Sequence, residues 1–185
     1  MSVKITYKNS LPKTNSSNLV LFTDENFNNS SLKKYISHSE QVYISDLLKT
    51  KDTTKKIQFF DINSKRKIIL ISLKKKLKSS DLENLGANFY DQFKNFKQNQ
   101  YHLVSDTSPN HLRNASGYFL HGLKLKSYSF EKYKTKQKNK NISIIVSGKN
   151  KPSLSDQLKF KSIEEGTFYA RDLVSEPGNI LHPDE

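Results

Sequence analysis

The sequence predicts an α/β domain of three layers, αβα, with one mixed sheet between helices. Three observations carry that reading. Short β-rich runs alternate with amphipathic stretches, which is the pattern of strands covered by helices. The first third is strand-rich with little helix between its strands, so the sheet should be mixed rather than wholly parallel. A chain of 185 residues with 34% hydrophobic content, 11 Phe and 9 Tyr can close one core, with a short remainder for a linker.

Val3 to Tyr7, Leu19 to Thr23 and Val42 to Ile44 read as short strands between polar loops. The Asn- and Ser-rich segment from Glu25 to Ser31 is a loop by composition, and Leu32 to Ser37 is a candidate short helix. Ile57 to Ile62 and Ile68 to Leu73 are β-rich runs joined by Asn63-Ser64-Lys65-Arg66, which is hairpin material. The second run is apolar at consecutive positions, as in a central strand buried on both faces.

Ser80 and Glu83 have capping-box spacing, and Leu82, Leu85, Phe89, Phe93 and Phe96 then recur every three or four residues as one helical stripe. Tyr101 to Ser105 is a strand. Ser108-Pro109 should open a second helix whose buried face is Leu112, Ala115, Phe119 and Leu123, with Gly117 and Gly122 permitting close packing. After a strand from Ile142 to Val146, Ser153 and Asp156 can cap a last helix. Its inner face would include Ile163, Gly166, Ala170 and Leu173, and Pro177-Gly178 would stop it.

Several function classes are disfavoured. Met1 is followed by a mixed segment and the longest apolar runs are strand-sized, so neither a signal peptide nor a membrane span is expected and the chain should be cytoplasmic. With no Cys there is no disulfide framework and no thiolate metal site. The net charge of +13 is segmental: residues 49–78 hold 11 Lys/Arg against 2 Asp, and residues 124–140 hold 7 Lys against 1 Glu. Such runs could meet phosphates. Yet the chain has 28 Lys to 3 Arg, and bidentate phosphate or base recognition favours Arg. Solvated faces are the better reading, and Lys132 to Lys140 is an exposed, low-complexity connection.

Gly148-Lys149-Asn150 lacks the earlier Gly and the hydroxyl residue of a phosphate-binding loop, and the six Gly never cluster as a dinucleotide fingerprint. The five His, at 38, 102, 111, 121 and 182, include no pair at His-x-x-x-His spacing. His111 and His121 fall in one predicted helix but ten residues apart, too far for one ion. No Gly-x-Ser-x-Gly elbow exposes a serine. The acid pairs Asp24-Glu25, Glu164-Glu165 and Asp184-Glu185 read as solvated carboxylates. The residues therefore nominate no catalytic, metal-binding or cofactor-binding group.

Two motifs point further. Ala170-Arg171-Asp172-Leu173-Val174-Ser175-Glu176-Pro177-Gly178-Asn179-Ile180-Leu181-His182-Pro183 resembles the signature Ala-Arg-Asp-Leu-Val-Asn-Glu-Pro-x-Asn-x-Leu-x-Pro, with which the cytosol (leucyl) aminopeptidase family enters its peptidase domain; Ser175 stands where the family usually has Asn. Upstream, Gly122 to Lys134 is similar to the family's Gly-x-x-Leu-x-x-Tyr-x-Phe-x-x-Tyr-Lys stretch. Before residue 110 the likeness fades, and Ser72-Leu73-Lys74-Lys75 replaces the family's Gly-Leu-Gly turn.

The resemblance implies a non-catalytic front domain, similar in fold to macro domains, over residues 1–150. Residues 151–185 would be the connecting helix and the first residues of the peptidase domain. In the family that second domain holds two divalent metals, Zn or Mn, on a Lys and acidic residues in motifs such as Asp-Thr-Asp-Ala-Glu-Gly-Arg, and the enzyme is a hexamer. None of those motifs occurs here. The implied signature residues, Ala170, Arg171, Asp172, Leu173, Val174, Glu176, Pro177 and Asn179, are structural. The implied partners are the chain's own C-terminal peptidase domain and further copies of itself. The alternative is a stand-alone macro-like or nucleic-acid-binding module that uses segments 49–78 and 124–140.

Overall fold

The computed structural model describes residues 2–11, 18–135, 141–178 and 180. Six strands, β1 (Ser2–Tyr7), β2 (Asn18–Thr23), β3 (Ile57–Asp61), β4 (Lys67–Ser72), β5 (Gln100–Val104) and β6 (Asn141–Ser147), form one sheet in the order β1-β6-β5-β2-β4-β3. All neighbours pair in parallel except β3 with β4, which closes as the expected hairpin. Asn63 makes that turn, its Oδ1 accepting the N–H groups of Lys65 and Arg66 at 2.9 Å each.

Alternation along the strands divides the core into two layers. Val20, Phe22, Ile69, Ile71, Leu103, Ile144 and Val146 face α2 (Ser79–Phe93) and α3 (Ala115–Lys126), whereas Leu19, Leu21, Ile68 and Leu70 face α1 (His38–Thr50) and the 3-10 turn before it. β4 is buried on both faces, as its unbroken apolar run predicts.

Four local expectations need correction. Val42 to Ile44 is not a strand but part of α1, which starts at a true capping box: the Ser37 hydroxyl accepts Glu40 N–H while the Glu40 carboxylate accepts Ser37 N–H at 2.8 Å. Leu32 to Ser37 shrinks to a 3-10 turn over Ser30–Lys34, because Ser37 is committed to that cap. α2 opens one residue before Ser80, and Asp81 rather than Glu83 reaches back, accepting Lys78 N–H at 2.9 Å. The third helix does not open at Ser108-Pro109. It begins at Ala115, after Asn114 adopts a left-handed conformation (φ 56°) that breaks helical continuity, and this leaves His111 outside the helix that holds His121.

α2 and α3 cross closely because glycines face each other's backbone. A Cβ at Gly86 would lie 1.9 Å from the Phe119 carbonyl oxygen, and one at Gly122 would lie 2.0 Å from that of Glu83. Phe89 sits at this crossing, 5.5 Å from the Phe119 ring centroid.

On the other face, Arg66 and Glu40 form a buried pair, Nε to Oε1 2.6 Å, that ties the hairpin to the start of α1. Burial alone would raise the Glu40 pKa. Hydrogen bonds from Arg66 and Ser37, with the Arg66 charge, outweigh it and hold the carboxyl below its ordinary range.

Candidate functional site at the end of the last helix

α4 (Leu154–Ser175) starts as expected, with the Ser153 hydroxyl accepting Asp156 N–H at 3.1 Å, and it ends just before Pro177. Its packed face is not the expected one. Phe160, Glu164 and Phe168 recur every fourth residue and turn toward α3: the Phe160 ring lies 5.0 Å from His121 and 5.3 Å from Tyr118, and Glu164 Oε1 is 3.1 Å from His121 Nδ1. His121 is buried, and Glu164, read from sequence as a solvated carboxylate, is instead its partly buried partner.

The expected inner positions, Ile163, Gly166, Ala170 and Leu173, are exposed, and a Cβ at Gly166 would meet nothing within 4 Å. Val174 is 89% exposed and Tyr169 67%. The apolar periodicity marks a second face of the helix, one left largely exposed by the described residues.

The two motifs meet at the C-terminal end of this helix. Arg171 Nη1 donates to the Leu125 carbonyl at 2.7 Å, and its guanidinium lies over the Tyr128 ring, 5.4 Å from the centroid. The Tyr128 hydroxyl donates to Asp172 Oδ1 at 2.7 Å, and the Phe168 ring sits 5.4 Å from that of Tyr128. One turn later, Glu176 accepts Lys132 Nζ at 2.6 Å and the Tyr133 hydroxyl. Charged residues of the signature thus bind the segment leaving α3, 43 to 46 residues earlier in the chain.

The protonation shifts follow from these contacts. Hydrogen bonds from Lys132 and then Tyr133 lower the Glu176 pKa, and the same bonds raise those of Lys132 and Tyr133. Desolvation, then the bond to Asp172, raises that of Tyr128. Such an arrangement fixes a loop against a helix; it offers no nucleophile beside a base. Of the signature residues, Ala170, Leu173, Val174 and Pro177 are exposed, and Asn179 lies outside the described residues.

Other candidates disperse. His38 opens α1, His102 lies in β5, and the His111 ring meets the Lys75 carbonyl at 2.9 Å, while His182 and the pair Asp184-Glu185 lie outside the described residues. Burial, then the Lys8 charge, lowers the His102 pKa. Asp24 folds its own loop by accepting the N–H groups of Asn26 and Asn28. Among the described residues no group of three or more His, Cys, Asp or Glu could hold a metal ion, and no helix is long and apolar enough to cross a membrane.

The basic segments are partly consumed internally. Lys49 pairs with Asp46, Arg66 with Glu40, Lys67 with Asp61 and Lys126 with Asp91. Lys51 donates to the Phe59 carbonyl and Lys124 to that of Val3.

No family model matches the chain. Among curated proteins it is 43% identical over 74 residues to a probable cytosol aminopeptidase of Phytoplasma mali (strain AT), covering 36% of this chain and 15% of that protein. It is 33% identical over 108 residues to a probable cytosol aminopeptidase of Ehrlichia ruminantium (strain Gardel), covering 54% of this chain and 20% of that one. Among solved structures, a tomato leucine aminopeptidase mutant superposes over 99% of this chain and 40% of its own, with TM-score 0.72 at 17% identity. The bottromycin maturation enzyme BotP superposes over 91% of this chain and 35% of its own, with TM-score 0.64 at 11% identity. The chain therefore spans well under half the length of these proteins.

Proposed function

We propose that this chain, related in sequence to cytosol aminopeptidases and sharing the fold of the N-terminal domain of a leucine aminopeptidase, is the non-catalytic assembly and regulatory domain of a leucyl aminopeptidase. Residues 1–150 form that domain, and residues 151–185 are its connector to a peptidase domain. The full-length enzyme removes amino-terminal residues from peptides in the cytoplasm and assembles as a hexamer.

The observation that carries this reading is the double character of α4. One face is docked on α3, the C-terminal end is fixed by the clamp of Arg171, Asp172 and Glu176, and the opposite face exposes Ile163, Ala170, Leu173 and Val174. A helix apolar on both sides is normally covered on both sides, and the peptidase domain of the same polypeptide supplies the second cover.

Two divalent ions, Zn or Mn, would activate water and polarise the scissile carbonyl in such an enzyme; one BotP structure is a complex with Mn. Among the described residues no group of three or more His, Cys, Asp or Glu could hold such ions, which is consistent with a supporting role for this chain in the proposed enzyme. Reading the native gene past the Glu185 codon tests the proposal. An open frame that continues into acidic metal-binding motifs supports it, whereas a stop codon at that point removes it.

A further inference from the structure

β1 is an edge strand, paired only with β6, and its residues Val3, Ile5 and Tyr7 alternate toward the core layer that holds α3. α4 docks on α3 beside them, and a cavity of about 720 Å³ lies between β1, α3 and α4. That volume is within the range of small-molecule sites. Much of the lining is apolar, with Val3, Ile5, Leu120, Leu158, Phe160 and Phe168. Phe160 approaches α3 this closely only because residue 117 is glycine: a Cβ there would stand 2.7 Å from Phe160 Cε2.

The polar groups of this cavity are chiefly acceptors. Glu164 lines it, and among the described residues its one hydrogen-bond partner is His121 Nδ1 at 3.1 Å, the two side chains being 13% and 6% exposed. An ionised carboxylate can only accept, so Nδ1 carries the hydrogen of that bond and Nε2 of the neutral ring is a further acceptor. Tyr7 lines the same cavity, and its hydroxyl bonds to no described residue. Burial, then the Glu164 charge, pushes the Tyr7 pKa up to about 12, which keeps that hydroxyl protonated at neutral pH.

The lysines around the cavity are engaged elsewhere. Lys161 pairs with Glu165 at 3.6 Å, where both side chains are exposed, and Lys124 Nζ donates to the Val3 carbonyl. Lys4 lies between Val3 and Ile5 in β1, so its side chain leaves from the opposite face of the strand. Glu164 is thus a sparsely solvated carboxylate with no ammonium or guanidinium partner among the described residues, and such a group favours a cation that brings its own hydrogen-bond donors. A primary ammonium has three donors and no acceptor.

We propose that this cavity binds an apolar primary amine, an alkyl- or arylalkylammonium ion. The ammonium donates to Glu164, with Tyr7 and His121 as neighbouring acceptors, and the hydrocarbon lies against Leu120, Leu158, Phe160 and Phe168. The site is formed by this chain alone and does not depend on the peptidase reading.

The test is amide NMR of the 185-residue chain at pH 7, titrated separately with 4-phenylbutylamine, 4-phenylbutanol and 4-phenylbutyrate, which share a hydrocarbon and differ in charge. The amine should shift resonances of residues 3–7, 117–124 and 157–168, and should bind at least about tenfold tighter than the alcohol or the acid. Glu164→Gln should weaken the amine about tenfold and leave the alcohol within about twofold. If Glu164→Gln loses its native dichroism, Leu158→Lys carries the test: position 158 is 65% exposed, and a like charge in the wall should weaken the amine about tenfold and the alcohol no more than about threefold. Four results would overturn the proposal: no shifts at millimolar amine, the alcohol binding as tightly as the amine, the acid binding as tightly or more tightly, or a folded Glu164→Gln chain with unchanged amine affinity.

Discussion

Gly122→Ala tests the close crossing of α2 and α3, on which one whole layer of the core rests. The new methyl group would stand 2.0 Å from the Glu83 carbonyl oxygen and 2.5 Å from both the carbonyl carbon and Cα of that residue. Real Cβ contacts essentially never fall under 3.0 Å, so the helices would have to part by at least 1.0 Å. The obstacle is backbone, which cannot turn aside as the tip of a side chain can. Overpacking of a core costs about 1–3 kcal/mol, and this geometry belongs at the upper end. Alanine's better helix propensity returns about 1 kcal/mol, leaving a net loss of about 2 kcal/mol. For a chain of this size that lowers Tm by roughly 4–8 °C. Gly166→Ala is the internal control: nothing lies within 4 Å of its Cβ, so only the propensity gain remains and Tm should rise by roughly 2–4 °C. Thermal melts followed by far-UV dichroism measure both. A Gly122→Ala chain that melts at or above the parent would refute the crossing geometry.

Arg66→Met leaves Glu40 buried without its partner and should cost about 3 kcal/mol in urea denaturation at pH 7. Because the folded-state pKa of Glu40 is depressed, the pair's contribution is fully present above the unfolded carboxyl value and is lost as pH falls through the folded value. The deficit of the variant should therefore shrink with acidification below about pH 4.5. Glu176→Ala frees Lys132 and Tyr133 at the protein surface, so the global unfolding midpoint should change little. Amide exchange in residues 128–134 should nevertheless quicken several-fold, and unchanged exchange there would contradict the clamp. Val174→Asp, at a position 89% exposed, should alter the stability of this chain by no more than about 0.5 kcal/mol. In a longer protein that continues past Glu185, the same change should impair domain assembly, as read by size-exclusion chromatography.

Much of the sheet was legible because its signals are local. Leu19 to Thr23, Ile68 to Leu73 and Ile142 to Val146 are apolar runs of strand length, and all three lie in the central part of the sheet. α2 was legible through its stripe of Leu82, Leu85, Phe89 and Phe93, every one buried. α1 was missed because it buries little besides Ile44 and Glu40; the Ser37-x-x-Glu40 spacing was the signal that could have found it. The face of α4 was misassigned for a physical reason: its docked row includes Glu164, whose acceptor role depends on His121, a residue 43 positions away. The clamp pairs Tyr128 with Asp172 and Lys132 with Glu176, each 44 residues apart. Both motifs could be read, but their mutual contact could not, because periodicity carries no information at that distance.

Under the proposed function, peptide hydrolysis belongs to a peptidase domain outside these 185 residues. Purified chain incubated with Mn or Zn and a leucine anilide measures it most directly. No release of leucine above the buffer rate is expected with either metal, and metal-dependent turnover by this chain alone would contradict it.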